Sequence, residues 1–221
     1  MMGVFTSDHF DTYQRCPKAY QYKYIKGIRF ALKKDTYKLG RNIHSLVYYK
    51  LMGQPLDKIE HALDLETQKH WENISDNWLL SKKVVCAEWG FDVILGGEYF
   101  LNGRIDAVFQ DDDGSYIIAD WKTGESLPYS PEEKFQAMIY MYAFFKAQKD
   151  LGLDFTPARL RFVFVGSAQK GLEKEVTCSD EMISEIEEKL SNMVAEILSD
   201  TGFEANKKSC AFCEFQQICT Y

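Results

Sequence analysis

Apolar residues in the first eighty positions recur at the spacing of helices. Four aromatic residues lie three, seven and four positions apart, which is a helical stripe interrupted by Pro17: Phe10, Tyr13, Tyr20 and Tyr24. Ser7 is the expected N-cap of this first helix, and two aspartates follow it in the first turns. The same spacing predicts a second helix over residues 39–51 and a third through residues 57–80.

The period of the pattern changes to two after residue 83. Segments 84–95, 99–109 and 115–121 are rich in β-forming residues, and the second of them alternates across two faces. Two glycines at 96–97 and the run Asp-Asp-Asp-Gly at 111–114 supply turns between them. These segments therefore predict a three-stranded meander.

The remaining segments predict a helix over 131–149, a strand over 158–165 and a helix over 180–198. A helix between two strands allows those strands to pair in parallel. The order of elements predicts an α/β fold, a sandwich in which helices flank a central mixed β-sheet.

Two acidic residues occupy predicted strand positions. Strict alternation puts Ile105 and Phe109 on one face of the second strand and Asp106 on the other. Asp120 ends the third strand and shares a face with Lys122. Two carboxylates on neighbouring strands suit Mg²⁺ or Mn²⁺, which prefer oxygen ligands. A lysine beside them can act on water bound to that metal.

Length and composition favour one ordinary globular domain. The chain has 221 residues, of which 46% are hydrophobic and 27% charged. No apolar run approaches the roughly 20 residues of a membrane span, and the first residues lack the layout of a secretory signal. We therefore expect a cytoplasmic protein with no membrane association.

The net charge of −7 argues against nucleic-acid binding, but the charge is unevenly distributed. Residues 1–50 hold ten Lys or Arg and three acids, a local charge of +7. Phosphate binding depends on local basic surface, although a solvated helical face would look the same. The candidate DNA contacts are Lys33, Lys34, Lys38 and Arg41.

Four of the six cysteines have the spacing of metal ligands. Three form C-x₂-C-x₅-C at the end of the sequence, and one precedes a proline almost 200 residues upstream. Four thiolates satisfy either a [4Fe–4S] cluster or tetrahedral zinc, and their chemistry does not separate the two. The candidate ligands are Cys16, Cys210, Cys213 and Cys219. The other two, Cys86 and Cys178, are expected to be buried core thiols.

The acidic motif resembles that of a known family. Asp106, thirteen residues and then Asp120-Trp121-Lys122 resemble the D…(D/E)-x-K signature of the PD-(D/E)XK nucleases. Ile105 stands where the signature has proline, a minor departure in a superfamily whose motifs vary. The resemblance implies a restriction-endonuclease-like core and a metal-dependent nuclease.

Two further elements resemble the RecB-like branch of that superfamily. Gln136 and Tyr140 match its Q-x-x-x-Y element, one helical turn apart. Segment 40–44 resembles the branch's helix with a metal-binding histidine, here His44. Each element alone has an ordinary structural explanation, but together they occur in the correct order.

The resemblance implies a role for each matching residue. The implied ligands of Mg²⁺ or Mn²⁺ are His44, Asp106, Asp120 and the carbonyl of Trp121. The implied catalytic residues are Asp106, Asp120, Lys122, Gln136 and Tyr140. Lys122 would position the attacking water or stabilise the transition state, with Gln136 and Tyr140 orienting Lys122 or the DNA. Glu88, in the first predicted strand, is a further candidate acid.

The cysteines also resemble a family feature. One cysteine before the nuclease core and C-x₂-C-x₅-C after it resemble the iron staple of AddB-type nucleases and of CRISPR-associated RecB-like exonucleases. This implies a structural [4Fe–4S] cluster rather than zinc. It also implies one nuclease domain over 1–221: a helical basic part (1–80), a catalytic core (84–165) and a cysteine-rich tail (201–221), with no room for a helicase domain.

The stand-alone CRISPR-associated RecB-like exonucleases are the most similar family. The resemblance implies a single-stranded DNA exonuclease, with 5′→3′ polarity favoured, in DNA end processing, CRISPR spacer acquisition or repair. CRISPR integrase proteins or a helicase would be its protein partners. The alternative is a catalytically inactive iron–sulfur or zinc module of the same fold that binds DNA or a partner.

Overall fold

The computed structural model describes residues 3–30 and 37–219. Lys33 and Lys34, two of the candidate DNA contacts, lie outside the described residues. No helix in these two ranges is long and apolar enough to cross a bilayer. The strands are β1 (Val4–Phe5), β2 (Lys83–Leu95), β3 (Tyr99–Gln110), β4 (Tyr116–Lys122), β5 (Leu160–Gly166) and β6 (Leu172–Thr177). The α-helices are α1 (Ser7–Arg15), α2 (Pro17–Tyr20), α3 (Lys38–Leu51), α4 (Asp57–Glu60), α5 (Leu65–Ile74), α6 (Phe135–Ala147) and α7 (Met182–Ser199).

Strand β3 is the centre of a mixed sheet. It pairs antiparallel with β2 along one edge. Its other edge pairs first with β1, in parallel, and then with β4, antiparallel. β4 pairs in parallel with β5, which pairs antiparallel with β6. The predicted α/β sandwich with a mixed central sheet is confirmed.

Helices cover both faces of the sheet. On one face, α1, α6 and α7 pack in a single large core, in which α6 is buried almost all round. On the other face, α3 and α5 pack against β3, β4 and β5 through a second core that includes Ile43 and Trp71. α6 joins β4, the strand that carries the D-x-K motif, to the parallel strand β5.

Two predictions about the helices are corrected. Thr6, not Ser7, is the N-cap of α1, and its backbone N–H donates to Nδ1 of His9 at 3.1 Å. The predicted helix through residues 57–80 is interrupted, because Asp64 accepts a hydrogen bond from the backbone N–H of Thr67 at 2.8 Å and starts a new helix there. α4 and α5 with a 3₁₀ turn replace it.

Strands β1 and β6 were not predicted. β1 has only two residues, too few for a period to be recognised. β6 is an edge strand that contains three successive charged residues, Glu173, Lys174 and Glu175. Such a charged run is more typical of a loop than of a strand. Such charges on an edge strand oppose pairing with another chain.

The alternation of side chains on β3 changes phase at Asp106. Ile105 and Val108 both pack in the core on the α6 side, whereas Phe109 packs on the α3 side. The prediction that Ile105 and Phe109 share a face is therefore wrong. On β2, Ala87 pairs with Ala107 and Trp89 with Ile105, so Glu88 lies across from Asp106; its backbone has φ of +49°. This left-handed residue breaks the regular pleat at that pair of positions.

Candidate active site

The ladder between β3 and β4 ends beside the two acids. Its last pair is Ala107–Ala119, so Asp106 and Asp120 would be the next pair in register. Instead, Asp106 Oδ2 accepts a hydrogen bond of 3.0 Å from the backbone N–H of Trp121. Asp106 contacts α3 through His44, and Asp120 contacts α6 through Gln136. The two acids therefore lie side by side, Asp106 in contact with α3 and Asp120 in contact with α6.

His44, in α3, contacts oxygen atoms with both ring nitrogens. Nδ1 lies 3.2 Å from Asp106 Oδ1, and Nε2 lies 3.0 Å from the carbonyl oxygen of Trp121. Both nitrogens donate only in the imidazolium form. Burial alone would lower the pKa of His44, but the hydrogen bond and charge of Asp106 outweigh it and raise the pKa. A positive charge is thus favoured between these two oxygens.

Glu88 completes a group of ligand atoms. One atom each from His44, Glu88 and Asp106 lies within 4.8 Å of the others, the only such group among residues 3–30 and 37–219. Burial and the charge of Asp106 raise the pKa of Glu88, although Arg104, at 3.0 Å, and His44 oppose the shift. Two carboxylates, an imidazole and a nearby carbonyl oxygen are ligands that fit Mg²⁺ or Mn²⁺.

A chain of hydrogen bonds links the D-x-K motif to α6. Lys122 Nζ lies 2.8 Å from Asp120 Oδ2 and donates to Gln136 Oε1 at 2.6 Å. Gln136 Nε2 donates to Asp120 Oδ1 at 2.6 Å and to the hydroxyl oxygen of Tyr140 at 3.2 Å. The two motifs that the sequence analysis identified, D-x-K and Q-x-x-x-Y, are therefore in direct contact.

Asp120 is the most buried of these acids, with 2% of its side chain exposed. Burial and the nearby charge of Asp106 raise the pKa of Asp120 to about 6, while Lys122 opposes the shift. Asp120 is not part of the group formed by His44, Glu88 and Asp106. Its carboxylate is instead held by Lys122 and Gln136.

Gly103 makes room for the aromatic residues behind this chain. A Cβ atom at position 103 would lie 2.5 Å from Phe91 and 3.3 Å from Tyr140. The rings of Phe91 and Tyr140 meet edge to face with centroids 5.7 Å apart. Sequence reasoning missed Gly103, and a glycine inside a predicted strand is the signal that could have found it. It missed the left-handed backbone of Glu88 too, for which the sequence gives no signal.

A groove of about 550 Å³ lies beside the acids, between α3 and the strands β2 and β3. Arg41 lines it together with His44 and Glu88. Lys38 lines a neighbouring groove, where its ammonium lies 2.9 Å from Asp64. Two of the four candidate DNA contacts are thus at the surface near the acids.

The four candidate cysteine ligands line one small cavity between the N-terminal helices and the tail. Cys16, between α1 and α2, is buried there beside Ala19, Tyr22 and Phe215. The backbone N–H of Asn206 donates to Cys16 Sγ at 3.3 Å. Among the described residues, no three of these sulfur atoms lie within 4.8 Å of one another. The cysteines share a cavity, but the iron–sulfur cluster itself is not shown.

The other two cysteines lie in the main core. Cys178 is buried, and Cys86 is partly buried in β2. Burial raises the pKa of both thiols to about 11, so they are protonated at neutral pH.

Comparison with known proteins places this arrangement in a family. Residues 5–220 match the family model described as the PD-(D/E)XK nuclease superfamily. A putative exonuclease from Eubacterium rectale has a similar structure, with TM-score 0.56 and 10% identity over 99% of this chain and 88% of that chain. The crystal structure of SSO0001 aligns with TM-score 0.46 and 18% identity over 99% and 86% of the two chains. No curated protein matches the sequence. This chain, which carries Asp106 and Asp120-Trp121-Lys122 on neighbouring strands of a mixed sheet, belongs to the PD-(D/E)XK nuclease superfamily.

Proposed function

We propose that this chain is a divalent-metal-dependent deoxyribonuclease that acts as a 5′→3′ exonuclease on single-stranded DNA. The observation that carries the proposal is the meeting of His44, Glu88 and Asp106 beside the chain of contacts through Asp120, Lys122 and Gln136. Such a site joins cation ligands to a lysine, the combination that phosphodiester hydrolysis uses. The structural neighbour from Eubacterium rectale is described as a putative exonuclease, which supports the same activity here.

His44, Asp106, Asp120 and the Trp121 carbonyl are the proposed ligands of Mg²⁺ or Mn²⁺, with Glu88 as a further acid. The bound cation would lower the pKa of a water and stabilise negative charge on the scissile phosphate. His44 would release a proton on binding, because its imidazolium lies between Asp106 Oδ1 and the Trp121 carbonyl.

Lys122 is the proposed residue that orients the attacking water or stabilises charge in the transition state. Gln136 accepts a hydrogen bond from the ammonium of Lys122, and this contact limits where the Nζ atom of Lys122 can lie. Tyr140 in turn accepts from Gln136 and is packed against Phe91. This support from a buried helix would keep Lys122 in one position during turnover.

The biological setting is proposed from the family resemblance. CRISPR spacer acquisition, DNA end processing or repair would supply single-stranded ends, with integrase proteins or a helicase as partners. Lys33, Lys34, Lys38 and Arg41 remain the proposed basic contacts to the DNA backbone. Their charge is local and opposes the net charge of the chain.

An iron–sulfur staple is the second part of the proposal. Cys16 and the three cysteines of the tail line one cavity, although they are almost 200 residues apart in sequence. A [4Fe–4S] cluster ligated by Cys16, Cys210, Cys213 and Cys219 would join the N-terminal helices to the tail. Metal binding would then contribute directly to the free energy of folding.

End-labelled DNA tests the nuclease proposal. Single- and double-stranded oligonucleotides labelled at either end are incubated with Mn²⁺, Mg²⁺ or EDTA, and products are resolved over time. We expect early release of the 5′-terminal nucleotides from single strands, only with metal and not with the Asp106→Asn protein. Wild-type protein that cleaves no DNA in either metal would be an inactive binding module. Cleavage of circular single strands would show endonuclease action instead.

A further inference from the structure

The groove along α3 has two walls that meet at the candidate metal ligands. Residues 37, 41, 45 and 48 recur at helical spacing and form one wall. Glu88 and Arg104, from β2 and β3, form the other. His44 and Glu88 belong both to the groove and to the group of ligand atoms with Asp106. Any chain lying in this groove would therefore pass directly over the candidate site of hydrolysis.

Three tyrosines that line the groove are exposed. The exposed fractions are 53% for Tyr37, 36% for Tyr48 and 40% for Tyr49. The rings of Tyr48 and Tyr49 are neighbours, with centroids 6.0 Å apart. Neither belongs to a hydrophobic core of the described chain. Large exposed rings gathered in a concavity are typical of binding surfaces rather than of packing.

Two arginines give the groove the charge that a phosphate backbone requires. Arg41 is exposed on the same face of α3 as Tyr48. The Arg104 side chain is 65% exposed, and its Nε atom pairs with Glu88 at 3.0 Å. The terminal nitrogens of its guanidinium carry further donors, which can bind a phosphate in the fork geometry that arginine favours.

We infer that this groove is a binding site for single-stranded DNA, in which Tyr48 and Tyr49 stack on bases and Arg41 and Arg104 bind phosphates. The inference rests on the proposed nuclease function and adds the subsite that holds the substrate. Aromatic side chains stack on bases that are free of a partner strand, and this favours a single strand. A duplex would present mainly its phosphates and groove edges to the rings.

The length of the groove agrees with a short stretch of nucleic acid. The segment from Tyr37 to Tyr48 spans roughly 16 Å at the rise of an α-helix. Stacked nucleotides repeat every ~3.4 Å along a strand, so about five would fit. His44 lies between the two ends of this segment, so the bound strand would place nucleotides on both sides of the candidate metal site.

The test is binding of a fluorescent 12-nucleotide single strand, measured by anisotropy in EDTA so that no cleavage occurs. The variants are Tyr48→Ala/Tyr49→Ala, Tyr48→Phe/Tyr49→Phe and, as a matched control, Tyr129→Ala, an exposed tyrosine outside the groove. We expect the alanine variant to bind about 5- to 150-fold more weakly for each base that loses the tyrosine ring on which it stacks. The phenylalanine variant and the control should stay within about twofold of wild type.

A strand with abasic sugars at successive positions isolates the stacking contribution, because its backbone charge is unchanged. Wild-type protein should bind it more weakly than the intact strand, and the alanine variant should bind both equally. Equal affinity of wild-type protein for both strands would overturn the inference, and this measurement needs no variant to fold. So would an equal loss of affinity for single strands and duplexes in the alanine variant.

The two proposals fail in different ways. If DNA binding does not depend on the rings of Tyr48 and Tyr49 but the protein cleaves DNA with metal, the stacking site is overturned and the nuclease proposal stands. Ring-dependent binding in a protein that cleaves no DNA in any metal supports the site and overturns the nuclease.

Discussion

The carboxylate of Asp106 accepts a hydrogen bond of 3.0 Å from the backbone N–H of Trp121, fifteen positions further along the chain. This bond forms where the β3–β4 ladder has ended, at the pair Ala107–Ala119. It leaves the other oxygen of Asp106 in contact with His44. The end of strand pairing therefore creates the space for the site and also fixes one of its acids.

Asp106, Asp120 and Lys122 are expected to act as one catalytic unit. Asp106→Asn, Asp120→Asn and Lys122→Ala should each reduce kcat by roughly 100-fold or more, because each removes charge from the site of phosphate hydrolysis. Double variants should lose little further activity, since the unit is already lost. Single-turnover cleavage of labelled DNA measures this. Lys174→Ala, on the exposed edge strand, is the matched control. Near-normal cleavage by Lys122→Ala would contradict the assignment.

His44 is expected to bind the metal directly. His44→Ala should weaken Mn²⁺ binding at least about 100-fold, since loss of residues outside the ligand set already costs 10- to 100-fold in metal sites. The loss should be smaller for Mg²⁺, for which imidazole is a poorer ligand. Calorimetric titration with each metal gives the affinities. His61→Ala, at an exposed position after α4, should bind both metals as wild type does. An unchanged metal preference in His44→Ala would make His44 a structural residue.

Asp120 is expected to destabilise the metal-free protein at neutral pH. Its pKa is raised to about 6 by burial and by the charge of Asp106, so the folded state binds a proton more tightly than the unfolded state does. Its contribution to stability is then lost as the pH rises from about 4 to 6. Asp120→Asn should raise the Tm in EDTA by a few degrees at pH 7 and by much less at pH 4. Thermal unfolding of both proteins across this range measures the difference. A gap that is the same at pH 4 and pH 7 would show that ionisation of Asp120 is not the cause.

The four cysteines that line one cavity are expected to ligate iron. Anaerobically purified protein should be brown and contain about four irons per chain with sulfide. Serine at Cys16, Cys210, Cys213 or Cys219 should bleach the protein and lower its free energy of unfolding by several kcal/mol, because a clip that closes a long loop is lost. Serine at the core thiols Cys86 and Cys178 should leave the iron content unchanged. Stoichiometric zinc without sulfide would show that the four cysteines ligate zinc and not an iron–sulfur cluster.

Much of the fold could be predicted from the sequence because its elements are strongly periodic. The meander, α3, α6 and α7 follow from apolar spacing, and their predicted bounds lie within four residues of the observed ones. The interruption of the helix predicted over residues 57–80 could not be predicted, since a single side-chain cap at Asp64 outweighs a continuing helical pattern. The two-residue β1 depends on the presence of β3 and has no local signal of its own.

The sequence by itself determined the identity and order of the acids, the lysine, the glutamine and the histidine, because motif spacing is a property of the chain. Only the tertiary structure decided how they meet. Glu88, whose own backbone is left-handed, lies beside His44 and Asp106. The carboxylate of Asp120 is held by Lys122 and Gln136. These contacts join β2, β3, β4, α3 and α6. Periodicity reports only local backbone geometry, whereas contacts between distant segments depend on how strands register and where their pairing stops.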